Sequence, residues 1–115
     1  MTKSGSGSQS VRIEWSEPAF DDLSALRDYI ARDAPHYAEQ FIGRLMDAAG
    51  RLAEFPDIGR PVPEADGASG LREIIFHSYR LIYQVDRTAD RVLIVTLVHG
   101  SRDIAGQDPK PWDID

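Results

Sequence analysis

From Val92 to Val98 the chain reads VLIVTLV, six aliphatic side chains in seven positions. Successive side chains of a strand point to opposite faces, so this run is apolar on both faces and belongs at the centre of a sheet. At seven residues it falls far short of the roughly 20 that a membrane-spanning helix needs. The segments before it supply neighbours. Tyr79–Asp86 puts Tyr79, Leu81, Tyr83 and Val85 on one face and Arg80, Ile82 and Gln84 on the other, and DRTAD then turns the chain. Leu71–Phe76 reads as a further strand, joined to the next by a tight turn at His77 and Ser78.

The first half of the chain has a different period. Val11–Trp15 (VRIEW) alternates as a short half-buried strand. Ser16 then suits a helix N-cap, with Glu17 and Pro18 in the first turn and Asp21 and Asp22 favoured there by the helix dipole. Phe20, Leu23, Leu26 and Ile30 form the apolar stripe of a helix running to about Arg32. Asp33 is the expected cap of a second helix, with Pro35 at its first position. Its stripe is Ala38, Phe41, Ile42, Leu45, Ala49 and Leu52, ending near Phe55. Gly43 and Gly50 lower its propensity by up to about 1 kcal/mol each. So short a joint makes the two helices an antiparallel hairpin. Pro56–Gly70, with three prolines and three glycines among its residues, reads as a loop. The resulting order is β-α-α-β-β-β. That is an α+β domain, with an N-terminal strand and a helical hairpin packed on an antiparallel sheet.

A length of 115 residues fits one domain, expected over 11–103. Residues 1–10 (MTKSGSGSQS) read as a flexible polar lead, and 104–115 as an acidic C-terminal tail. The absence of cysteine removes disulfides, thiolate chemistry and cysteine-ligated metals, and agrees with a reducing compartment such as the cytoplasm. Nothing at the start has the basic-then-apolar layout of a signal peptide. The three histidines lack metal-ligand spacing, and Ser24, Ser78 and Ser101 have no triad partners at motif spacing. No metal and no cofactor is expected.

The net charge of −6 argues against nucleic acid as a direct partner. Its distribution is uneven. Residues 11–66 hold 6 arginines against 12 carboxylates, whereas residues 71–102 hold 5 arginines against 3. The predicted sheet therefore carries Arg72, Arg80, Arg102, His77 and His99 in or beside its strands.

The element order resembles the RelE/ParE toxin superfamily of bacterial type II toxin–antitoxin modules. So do FPDIGRPV after the second helix, LRE, YRLIYQV and VHGSRD. The resemblance spans about residues 11–103 and implies one of two activities. RelE-like members are ribosome-dependent mRNA endonucleases, and ParE-like members inhibit DNA gyrase by binding. For the nuclease chemistry the resemblance implies Arg80 and Arg102 on the scissile phosphate, since guanidinium stays charged and offers two donors. His99 would act as acid or base. Against that pattern, no lysine lies between Lys3 and Lys110, and the segment after Arg102 has no tyrosine and carries four acids. The ParE-like branch fits better. There Arg72, Arg80, His99 and Arg102 become candidates for gripping a target or partner rather than catalytic groups.

Each residue also has a plainer role open to it. Arg80 can pair with Glu73 or Glu14 across the sheet, and Arg102 can be a surface arginine oriented by Asp103. His99, ending an apolar strand, is expected to be a hydrogen-bonded core histidine, and His77 a turn residue. Arg72 can protect a sheet edge, and Tyr79 and Tyr83 can pack in the core.

The resemblance further implies a cognate antitoxin, ParD-like, a ribbon-helix-helix protein whose C-terminal arm folds onto the helical hairpin and sheet edge. The assembly would be a hetero-oligomer in which DNA contact belongs to the antitoxin. Three functions follow as expectations: a gyrase inhibitor, an mRNA endonuclease, or a non-toxic member that keeps only antitoxin binding.

Overall fold

The computed structural model describes residues 11–113. The elements are β1 (Arg12–Trp15), α1 (Glu17–Ala31), α2 (Pro35–Gly50), β2 (Arg60–Pro61), β3 (Leu71–Phe76), β4 (Tyr79–Asp86) and β5 (Arg91–His99). Short 3-10 turns at Arg51–Ala53 and Gly67–Ser69 complete them. The expectation for residues 1–10 lies outside the described residues.

The strands form one sheet in the order β1-β5-β4-β3-β2. The doubly apolar β5 sits between β1 and β4, the interior place its composition requires. The α+β class holds, as does the β-α-α-β-β-β order, with two additions. First, β1 is itself a sheet member and runs parallel to β5, Arg12 opposite Arg91 and Trp15 opposite Ile94. Alternation marks a strand but not its direction, and the helical hairpin supplies the long crossover that a parallel pair needs. Second, the expected loop 56–70 contains β2, which pairs antiparallel with Glu73 and Arg72 of β3.

The hairpin α1–α2 covers one face of the sheet. Leu23, Leu26, Phe41, Leu45 and Leu52 pack there against Leu81, Tyr83, Val92, Ile94 and Leu97. The second face has its own core of Val62, Leu71, Ile82, Val95, Val98 and Ile104, with Ala65, Leu93 and Trp112 against it. Ile104 and Trp112 belong to the segment read from sequence as an acidic tail, and both lie on this face.

Local chemistry joins α1 to β5. Ser16 caps α1 as expected, its Oγ accepting from the Ala19 N–H at 3.2 Å, and it also donates to the Val95 carbonyl at 2.9 Å. Asp22 has a role beyond the dipole: its Oδ2 accepts from Thr96 Oγ1 at 2.8 Å and from the Leu97 N–H at 3.1 Å. Pairing of β1 with β5 stops at Ile94, so these side chains satisfy β5 backbone groups on the side where β1 has ended. Asp33 does not cap α2. Ala34 holds that position without a side-chain bond, while the Asp33 N–H donates to the Ile30 carbonyl and still belongs to the end of α1. Three residues between the helices leave no room for a separate cap.

The FPDIGRPV segment is pinned from beneath by Tyr83. The buried tyrosine hydroxyl donates to the Pro56 carbonyl at 2.8 Å and accepts from the Gly59 N–H at 2.9 Å. Burial pushes its pKa up. Gly59 is required by close approach rather than by φ, since a Cβ there would stand 2.5 Å from the Glu73 carbonyl oxygen and 2.7 Å from the tyrosine oxygen. The Gly59 carbonyl in turn accepts from Arg72 Nη1 at 2.7 Å.

Candidate functional site

The polar residues singled out in the sequence do not form one cluster. Arg80 lies on β4, facing away from the helices, with its side chain 8% exposed. Its Nε donates to Glu73 Oε1 at 2.7 Å. Its Nη1 and Nη2 donate to Glu64 Oε2 and Oε1 at 2.9 and 2.6 Å. Glu73, fully buried on β3, uses its second oxygen to accept from Arg60 Nε at 2.5 Å. Two arginines and two glutamates thus close a neutral network on the second face. The hydrogen bonds to Glu64, and then those to Glu73, raise the Arg80 pKa above the ordinary arginine range, while burial opposes the shift. Arg80 in turn holds the Glu64 carboxyl below the usual range. Strand alternation put Arg80 and Glu73 within reach of each other. Glu64, sixteen residues away in a proline-rich loop, left no signal of its own. Glu14, the other partner open to Arg80, instead pairs with Arg91 at 2.8 Å and Arg12 at 3.2 Å.

Arg72 is also engaged, bonded to the Gly59 carbonyl and 3.6 Å from Asp57. With β2 beside it, it is not an edge residue. His99 is exposed rather than part of the core, because β5 has run past its cover at that point. Its Nδ1 lies 2.7 Å from Ser101 Oγ and accepts from the Ser101 N–H at 3.1 Å, and its ring stands edge-on to Tyr79 at 5.2 Å. His77 is a turn residue with φ 54°, its ring 4.6 Å from that of Phe76 and 5.3 Å from that of Phe41. Arg102 is exposed beyond β5, its N–H donating to the His99 carbonyl. Its guanidinium makes no ion pair among the described residues.

An open pocket of about 380 Å³ lies at this end of the second face, lined by Arg60, Glu64, Ile75, His77, Ser78, Tyr79, Arg80 and Gly100. Arg80 contributes to its wall with each of its three nitrogens already bonded to a glutamate. A separate, more apolar groove of about 200 Å³ lies on the β3 side, between α2 and the sheet edge, formed by Ala48, Arg51, Leu52, Ile58, Ile74 and Ile75. Phe55, Ile58 and Ile75 are all more than half exposed around it. Because β2 pairs only with Arg72 and Glu73, the Ile74–Phe76 part of that edge has no strand beside it among the described residues. No helix there is long and apolar enough to cross a membrane, and no His, Asp or Glu group of three is placed to hold a metal ion.

A helical hairpin on one face of a five-stranded, mostly antiparallel sheet is the architecture of the RelE/ParE toxins. The ParDE system of P. aeruginosa matches at TM-score 0.65 and 17% identity, over 80% of this chain and 98% of that one. E. coli RelE matches at TM-score 0.60 and 18% identity, over 81% and 86%. These likenesses concern the fold. The family follows from sequence: residues 13–104 match the model of the ParE toxin of type II toxin–antitoxin systems. Toxin RelE2 of Caulobacter vibrioides is 36% identical over 94 residues, 80% of this chain and 98% of that protein. The chain belongs to the ParE toxin family, within the RelE/ParE superfamily.

Proposed function

We propose that this protein is a ParE-like toxin that inhibits DNA gyrase by binding, and that a cognate antitoxin neutralises it. The observation that carries this reading is the state of Arg80. Cleavage by 2′-hydroxyl attack needs cations free to meet a phosphate and a positioned proton donor. Here each of the three Arg80 nitrogens already donates to Glu64 or Glu73, and Arg60 spends its Nε on Glu73. A binding toxin needs no catalytic set, so such a network carries no functional penalty. The match to the ParE family model over residues 13–104 supports the same reading.

The groove beside Ile74–Phe76 suits the antitoxin. An extended apolar segment there would add backbone hydrogen bonds to the open edge of β3 and bury side chains against Ile58, Leu52 and Ile74. We assign this to the C-terminal arm of a ParD-like ribbon-helix-helix partner in a cytoplasmic hetero-oligomer, with DNA contact left to that partner.

A ribosome-dependent mRNA endonuclease is the second reading. It draws on the relative named RelE2 and on the exposure of His99 and Arg102 next to one another in space. Induction of the chain in cells without antitoxin separates the two. Filamentation with SOS induction is the expected result. A prompt stop in protein synthesis would favour cleavage of mRNA, and unimpaired growth would remove both toxic readings.

A further inference from the structure

We propose that the second face holds a site for a small uncharged aromatic ligand, between the Ser69 loop and Trp112. The inference is independent of the gyrase reading, and the site shares no lining residue with the pocket beside Arg80.

Its floor comes from strand register. Leu71, Gln84 and Leu93 lie side by side across β3, β4 and β5, and Val95 packs on the same face further along β5. Its wall comes from the segment after β5. Ile104 is fully buried, and the turns that follow are tied by Lys110, the one lysine among the described residues. Lys110 Nζ donates to the carbonyls of Ala105 and Gln107 at 3.1 and 2.8 Å. Its backbone N–H donates to Asp113 Oδ2 at 3.1 Å, and the Asp113 N–H donates to the Lys110 carbonyl at 3.0 Å. Trp112, held between these bonds, packs against the second-face core. The result is a pocket of about 420 Å³ lined by Ser69, Leu71, Gln84, Leu93, Val95 and Trp112.

The lining sets the ligand. No charged side chain belongs to it, whereas the pockets around Arg80, Arg91, Glu54 and Arg51 each carry at least one ion. A charged ligand would lose hydration here and gain no partner, so the ligand is neutral. An indole wall over an aliphatic floor favours a flat ring. Two polar groups at the rim define its edge. Gln84 Nε2 donates to the Ser69 carbonyl at 3.0 Å, which leaves Gln84 Oε1 without a partner among the described residues. Ser69 Oγ accepts from the Leu71 N–H at 3.2 Å and keeps its own hydrogen to donate. One acceptor beside one donor matches an adjacent N–H and C=O, the edge of an aromatic lactam. A free molecule fits better than a partner protein. The large apolar side chains that the surface exposes, Phe20, Tyr29 and Ile75 among them, lie outside the lining, so none of them extends the pocket into an apolar interface.

Oxindole, a neutral bicyclic lactam, is the probe, titrated into the full chain and followed by methyl and amide NMR. Shifts are expected at the Leu71, Leu93 and Val95 methyls and at the Trp112 indole N–H. For a ligand of about ten heavy atoms the Kd should be on the order of 0.1–1 mM. Indole, which keeps the donor and lacks the carbonyl, should bind about 3- to 10-fold more weakly. Indole-2-carboxylate, which adds a charge, should bind more weakly still. Leu93→Trp fills the pocket and should abolish the oxindole shifts. Gln84→Leu, at an exposed position, should weaken binding by about 3- to 10-fold and decides the matter if Leu93→Trp does not fold. The proposal is overturned if millimolar oxindole moves no second-face methyl, or if its affinity is unchanged in these variants. Indole-2-carboxylate binding as tightly as oxindole would overturn it too, since the site would then not select a neutral ring.

Discussion

The two faces of the sheet are built from different chemistry. Under the helical hairpin the contacts are aliphatic and aromatic, with Leu45, Leu52, Leu81 and Tyr83 fully buried. The second face mixes a smaller apolar core with Glu73, Arg80, Arg60 and Glu64, and its cover comes from a loop and from the segment around Ile104 and Trp112. The contrast separates stability from specificity. Apolar burial is non-directional and tolerates adjustment, whereas a closed ion network fixes every partner and fails when one is removed. It also explains why an acidic chain can thread arginines through its sheet. Those on the second face meet carboxylates supplied by the chain itself.

Substitutions on the two faces should fail differently. Leu45→Ala opens a cavity under the hairpin and should lower stability by about 3 kcal/mol, read from urea unfolding. Arg80→Ala should cost a similar or slightly smaller amount, about 2–3 kcal/mol, because Glu73 stays buried with only Arg60 beside it. The faces are told apart by rescue. Replacing the pair together, Arg80→Met with Glu73→Leu, should restore most of the Arg80→Ala loss. No equivalent polar replacement should restore Leu45→Ala. If the double variant is no better than Arg80→Ala, the buried network contributes more than mutual neutralisation and the contrast weakens.

Smaller effects sharpen the same comparison. Tyr83→Phe keeps the ring in the helix-side core and removes only the hydroxyl that holds Pro56 and Gly59. It should cost about 1–2 kcal/mol and loosen the 56–61 segment, visible as faster amide exchange at Gly59. The smallest effect concerns pH. Arg80 lowers the Glu64 pKa below its ordinary value of 4.5. The pairing therefore contributes stability that is fully present above that value and is lost as pH falls through the lower, folded-state pKa. Glu64→Gln should lack this part of the acid limb, and an acid denaturation curve identical to wild type would contradict the assignment.

Much of this was legible in the chain because periodicity is a local signal. Leu71–Phe76 and Tyr79–Asp86 are strands as the alternation indicates, β5 is interior because VLIVTLV has no polar face, and Ser16 caps α1. What was not legible depends on distance. No local pattern shows that Asp22 will reach Leu97, or that Glu64 will reach Arg80. Nor does a two-residue strand containing Pro61 rise above a loop that reads as turns. His99 misled for a related reason: its apolar neighbours suggested burial, but burial ends where the covering layer ends. The candidate site was legible residue by residue and not as an arrangement, since its character depends on which carboxylate closes on which arginine.

The central claim is that this toxin acts by binding rather than by cleavage, and purified DNA gyrase tests it most directly. Relaxed plasmid, gyrase and increasing amounts of the chain should give loss of supercoiling together with trapped, linear cleaved DNA on a gel. Full supercoiling at micromolar protein, with ribosome-bound mRNA cut in a parallel reaction, would contradict the account and return His99, Arg102 and Arg80 to catalysis.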